Sequence, residues 1–248
     1  MINNSLMIQL NIKMKNKEVL NDLFDYGYKI YQNEDYFKFS IDSILLAEIV
    51  KFKKNKNKLL DMCSGNASVP LILNTKNKEL KITAIELQKE IYELVKKSIE
   101  INDADNITFI NDDVKNISKY TNNTKFDYIT CNPPYFKTNP DININDNNIK
   151  AVARHELTIT LEDIISIASK NINYNGTFYL VHKDFRLADI IILLNKYNFG
   201  VKKLVPIYND ENSECTSILV ESVYNGENYV KITKPIYIKA HKSYKNIF

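Results

Sequence analysis

Short apolar runs at 58–63, 82–86, 107–111 and 126–131 alternate with segments whose apolar residues recur every three to four positions. Five or six residues rich in Ile, Leu, Phe and Tyr read as buried strands. The stripe Ile91, Leu94, Val95 and Ile99 within 88–102 reads as a helix laid on the sheet. Alternation at this spacing builds a parallel sheet with helices on both faces. Three further strands, at 176–182, 201–208 and 215–223, bring the expected count to seven, and the polar loop 209–214 makes the last two an antiparallel closing pair. The fold class is therefore α/β, a Rossmann-like doubly wound sheet, mostly parallel with an antiparallel closing strand.

The remaining segments complete one domain. Helices are expected at 161–171 and at 186–198, the latter striped with Leu187, Ile190, Ile191 and Leu194. Ahead of the sheet, Val19, Leu20, Leu23 and Phe24 suggest a helix over 17–24, followed by a strand at 28–33. Ser40 is placed to cap a helix running to about residue 52. Residues 1–16 are an extension without a motif, and Met14 is a second candidate start. Residues 17–248 form a single domain whose short N-terminal helix and strand segment spans 17–56. The basic connector 51–58 reads as a solvated loop rather than an RNA patch. The tail 231–248 mixes basic and aromatic residues, which suits RNA contact as well as a frayed polar terminus.

With 44% hydrophobic and 25% charged residues the chain has ordinary globular values, which excludes disorder over most of its length. A net charge of +3 permits a nucleic-acid partner without requiring one. Cys63, Cys131 and Cys215 are odd in number and far apart, which fits reduced thiols in the cytoplasm. No run is apolar and long enough to cross a bilayer, and no His/Cys metal cluster, P-loop or Ser-His-Asp pattern is present.

The chemistry concentrates where strands end, which is where open α/β sheets bind ligands. The run 126–131 stops at Asn132-Pro133-Pro134-Tyr135-Phe136. Two prolines cannot continue a ladder, so the chain leaves the strand as a stiff bend. That bend holds a side-chain amide, carbonyls at Pro133 and Pro134, and an aromatic face. An amine on a planar group carries two N–H donors. The Asn132 oxygen and the Pro133 carbonyl can accept both, with Tyr135 stacked on the plane, and orientation then does most of the catalysis.

Earlier strands end in groups suited to a nucleoside. After 58–63, Ser64-Gly65-Asn66-Ala67 forms a small-residue turn into a helix. Gly65 allows close backbone approach, and Asp61 suits an ammonium or an ordered water. Glu86, at the end of 82–86, is placed to accept both hydroxyls of a ribose. Past 107–111, Asp113 (with Asp112 beside it) suits an adenine amino group with Val114 against the ring, and equally suits a helix cap. Asp42 is open between helix-dipole partner and ligand contact. Arg154 suits a phosphate or a loop carboxylate, with His155 and Glu156 bracing the loop.

In the order of these sites the chain, over about residues 17–240, resembles class I S-adenosylmethionine-dependent methyltransferases. Within them it is most similar to the bacterial tRNA1(Val) (adenine-37-N6)-methyltransferase family. Phe39-Ser40-Ile41-Asp42, Cys63-Ser64-Gly65-Asn66 and Ala153-Arg154-His155-Glu156 carry that second likeness. Where the family pattern usually has another glycine, this chain has Ala67. The resemblance implies a cytoplasmic enzyme, monomeric or weakly dimeric, with S-adenosyl-L-methionine as cofactor, tRNA as partner, and no metal or membrane. It implies cofactor contacts from Ser40, Asp42, Asp61, Cys63, Gly65 and Asn66. Glu86, Leu87, Asp112, Asp113, Val114 and Asn132 complete that set. Asn132, Pro133, Pro134 and Tyr135 would be catalytic; Tyr135, Phe136, Arg154 and His155 would meet a flipped adenine. One rival is N5-methylation of a release-factor glutamine, whose carboxamide offers the same N–H pair. The other is a non-catalytic RNA-binding module that kept the fold.

Overall fold

A computed structural model of the chain describes residues 17–34, 36, 39–135 and 159–248. Seven strands make the body of the sheet: β3 (Lys58–Met62), β4 (Lys81–Glu86), β5 (Ile107–Asn111), β6 (Phe126–Cys131), β7 (Ile172–His182), β8 (Phe199–Tyr208) and β9 (Cys215–Tyr224). They lie in the order β5-β4-β3-β6-β7-β9-β8. Neighbours from β5 through β7 are parallel, whereas β9 runs antiparallel between β7 and β8. This is the expected doubly wound sheet with its antiparallel closing strand. Strand order reverses between β3 and β6, so the loops after those two strands diverge and leave a crevice.

Alternate residues of each strand feed two cores. Leu59, Ile82, Tyr128 and Tyr179 point to one face, covered by α1 (Ile41–Ile49) and α2 (Ser68–Lys76). Leu60, Ile85, Ile129 and Phe178 point to the other, covered by α5 (Leu161–Asn171) and α6 (Leu187–Lys196). The remaining α-helices among the described residues are α3 (Lys89–Ile101) and the single turn α4 (Ser118–Thr121). Ser40 caps α1, its side chain accepting from the Ser43 N–H.

Three expectations change. The helix expected at 17–24 is instead β1 (Glu18–Asp22), paired antiparallel with β2 (Lys29–Asn33). Asn21 and Asp22 are poor helix formers, and Gly27 at φ 75° turns the chain back early. Pairing then satisfies the backbone of both strands, and Leu23 and Tyr26 still reach the core. Strand β7 begins at Ile172 rather than at 176, through an irregular pairing beside Phe126. The tail is not frayed: the short strands β10 (Lys231–Ile232) and β11 (Ile236–Tyr237) pair in parallel alongside β8 at the sheet edge, and Tyr244 is buried beyond them.

The basic connector is an exposed loop, as expected, whose Lys51 and Lys53 N–H groups donate to the buried Tyr179 and Tyr128 hydroxyls. It enters β3 at the end of the sheet remote from the crevice. Residues 1–16, Phe136, Arg154, His155 and Glu156 lie outside the described residues.

Candidate active site

The turn after β3 is shaped by backbone geometry. Cys63, Gly65 and Ala67 all take positive φ (55°, 52° and 60°), and the Ala67 N–H closes the turn on the Ser64 carbonyl at 3.0 Å. Left-handed geometry at Ala67 explains why glycine is favoured there; alanine adopts it at a cost of about 1 kcal/mol. At Gly65 a Cβ would meet nothing within 4 Å, so the backbone faces open space.

Glu86 anchors that turn from the neighbouring strand. Its Oε2 accepts the Gly65 N–H at 2.8 Å, and its Oε1 accepts from Gln88 N at 3.0 Å and Gln88 Nε2 at 3.2 Å. Burial raises its pKa, opposed by these bonds. Asp61 lies deeper, 1% exposed, accepting Ser64 Oγ at 2.6 Å and Thr130 Oγ1 at 2.5 Å. Burial pushes its carboxyl up to about 7. It ties β3 to β6 beneath the turn through these two hydroxyls and also lines a hollow with Ser43 and Gly65.

Two adjoining hollows share Cys63, Glu86 and Gln88 and form one cleft at the strand ends. The first is lined also by Phe39, Ser43, Gly65, Asn66 and Asn132. The second is lined by Leu87, Asp112, Asp113, Val114, Pro134 and Ile159. In the latter, Val114, Pro134 and Ile159 make an apolar slot beside two carboxylates. Asp113 keeps the capping role, accepting the Lys115 N–H at 2.9 Å. Asp112 braces the loop through Asp113 N, Asn116 Nδ2 and the Tyr120 hydroxyl, which hold its carboxyl below the usual range.

The bend after β6 brings Asn132 into the cleft wall, its Nδ2 donating to Ser43 Oγ at 2.8 Å and its Oδ1 accepting the Tyr135 hydroxyl. Tyr135 stands behind it. The Lys183 ammonium sits 4.9 Å from the Tyr135 ring centroid, and the His182 ring meets it edge-on at 5.5 Å. Asp42 is turned toward that ring, 3.1 Å from its hydroxyl, and neither Ser40 nor Asp42 lines the cleft. Ser43, Gln88 and Lys183 were missed in the sequence. Ser43 lies one turn after the cap, and Gln88 two residues after the strand-end acid, but neither spacing specifies a partner.

A nucleoside cleft over the ends of β3 to β5, with a rigid amide-bearing bend on β6, is the layout of a class I S-adenosylmethionine-dependent methyltransferase. The chain belongs to the methyltransferase small domain family, which it matches over residues 37–198. It is 29% identical over 204 residues to the tRNA1(Val) (adenine(37)-N6)-methyltransferase of Pseudoalteromonas translucida, covering 82% of this chain and 85% of that one. It is also 29% identical over 210 residues to the release factor glutamine methyltransferase of Francisella tularensis, covering 80% and 72%. Among solved structures, a predicted O-methyltransferase from Agrobacterium tumefaciens superposes with a TM-score of 0.63 at 18% identity, covering 83% of this chain and 91% of that one. Among the described residues no helix is long and apolar enough to cross a membrane.

S-adenosyl-L-methionine is the cofactor. The cleft fits it in three respects. Asn66 Nδ2 and Gln88 Oε1 are buried in it without a partner among the described residues. Gly65 leaves room that a Cβ would fill, and the Glu86 carboxylate borders both hollows.

Proposed function

We propose that this methyltransferase modifies the N6 amine of an adenine in tRNA, at position 37 beside the anticodon of a valine tRNA. The observation that carries the reading is Asn132, held at the end of β6 in the same cleft as Gly65 and Glu86. When bound, S-adenosylmethionine supplies an electrophilic methyl on a sulfonium sulfur. In the cleft, Glu86 accepts from ribose hydroxyls, Gly65 and Asn66 border the ligand, and Val114 and Leu87 pack on its adenine. Asn132 Oδ1 and the Pro133 carbonyl accept the two N–H bonds of the substrate amine and fix its lone pair. No strong base is required, since an alkylated amine sheds its proton readily.

The target adenine turns out of the anticodon-loop stack to reach the bend. For Tyr135 to stack on it, the Lys183 ammonium must yield that ring face. Phe136, Arg154 and His155 are expected to border the base. The likeness to the Pseudoalteromonas enzyme supports the tRNA substrate. The likeness to the Francisella enzyme favours a second reading, N5-methylation of a release-factor glutamine.

Labelled methyl transfer into cell extract separates the two. Label in RNase-sensitive material, and loss of N6-methyladenosine from the valine tRNA of a deletion strain by nucleoside mass spectrometry, is the expected result. Label only in protease-sensitive material overturns the tRNA reading.

A further inference from the structure

Asn132 is held at both ends of its amide by adjacent residues of α1. Ser43 takes the nitrogen directly, at 2.8 Å. The oxygen receives the Tyr135 hydroxyl, which lies 3.1 Å from Asp42 Oδ2. Asp42 is met in turn by Ser217 Oγ at 3.4 Å and by the charge of Lys183. Helix α1, the β6 bend, β9 and the end of β7 therefore converge on one amide. We propose that Asp42 is a positioning residue of the transfer step, fixing the rotation of the Asn132 amide through the Tyr135 hydroxyl. The inference rests on the reading that Asn132 accepts an N–H of the substrate.

The final torsion of an asparagine is broad and roughly two-fold, so an unclamped amide presents its oxygen to a substrate only part of the time. A clamp at each end removes that freedom before the substrate arrives, which is the preorganisation that orientation-based catalysis needs. The Tyr135 hydroxyl has one proton, which lies between Asn132 Oδ1 and Asp42 Oδ2 in a three-centre bond, so Asp42 fixes where that hydroxyl points. Burial raises the pKa of Asp42, opposed by the charge of Lys183 and by the Tyr135 and Ser217 hydroxyls. A dipole partner in the first turn of α1 would add stability alone, without linking turnover to a tyrosine hydroxyl.

The test is a double-mutant cycle of Asp42→Ala and Tyr135→Phe, the latter keeping the ring while removing the hydroxyl. Wild type and variants are assayed on whichever of tRNA or a glutamine-bearing release-factor peptide the wild type methylates. Each single substitution is expected to lower kcat about 10- to 100-fold, with substrate KM and cofactor affinity by calorimetry within about 3-fold. In the Tyr135→Phe background, Asp42→Ala is expected to cost less than about 3-fold more, because the two residues act as one unit. Asp42→Asn, isosteric with a weaker acceptor oxygen, falls between wild type and Asp42→Ala, and it carries the cycle should the alanine variant not fold. Multiplying losses, unchanged turnover, or a cofactor affinity that falls in step with kcat overturns the inference. Methylation of neither acceptor overturns the functional reading, and the inference with it.

Discussion

The Gly65 backbone N–H donates to Glu86 Oε2 at 2.8 Å, so the carboxylate ending β4 holds the turn ending β3. One side chain thereby shapes the nucleoside cleft and offers its remaining lone pairs to a ligand. Glu86→Gln replaces one acceptor oxygen by an N–H₂ that faces either Gly65 N or Gln88 N. Losing a hydrogen bond to a charged acceptor costs about 1.5–3 kcal/mol, so S-adenosylmethionine affinity is expected to fall about 10- to 100-fold. Titration calorimetry checks it, and unchanged affinity would remove Glu86 from the cofactor site.

Asn132→Ala separates binding from transfer. The residue borders the cleft, yet its polar atoms are engaged with Ser43 and Tyr135 rather than with the Gly65 turn. Cofactor affinity is expected to stay within about 3-fold while kcat falls by at least about 100-fold, the scale of a lost orienting contact. Methyl transfer at the wild-type rate would refute the proposed role of the amide.

The parallel sheet was legible because each buried strand is a short apolar run closed by a turn; the capping box of Thr160 and Asp163 that starts α5 emerges only in the structure. Gly65, Glu86 and Asn132 were legible because strand ends are fixed by the strands themselves. Less visible was what each side chain would touch. Asp113 carries a cap signal and a ligand signal together: its Oδ1 accepts the Lys115 N–H while the residue also lines the second hollow. The 17–24 segment has a helical stripe, but its partner strand lies across Gly27, and long-range pairing outweighs a weak local propensity. The Asp42 to Asn132 connection joins residues ninety positions apart in sequence, beyond any local pattern.

The C-terminal tail gives a direct stability test of its own. Tyr244 packs edge-on against Phe24 at 6.2 Å, and its hydroxyl donates to the Ile238 carbonyl at 3.0 Å. At 7% exposure, its truncation to alanine is expected to cost about 2–4 kcal/mol. A urea midpoint within error of wild type would mean that the tail does not cover the core in solution.

His182 makes stability depend on pH in a way that a variant can isolate. It is fully buried beside Tyr135, its Nδ1 accepts the Lys183 N–H at 2.8 Å, and its Nε2 has no partner among the described residues. Burial, with the charges of Arg186 and Lys183, lowers its pKa to about 3. Between about pH 6.5 and 3 the unfolded chain binds this proton and the folded chain does not, so stability is lost as pH falls, at up to about 1.4 kcal/mol per unit. Asp61 acts oppositely: its folded pKa of about 7 means that its folded state holds a proton the unfolded state releases, so stability is lost as pH rises from about 3.8 to 7. The two slopes overlap and partly cancel in the wild type. His182→Asn, which keeps an acceptor near the Lys183 N–H, removes only the first. Urea unfolding at pH 7, 6, 5 and 4 should therefore show the wild type losing stability relative to His182→Asn as the solution is acidified. Parallel curves would mean that His182 is protonated, or reached by water, in the folded protein.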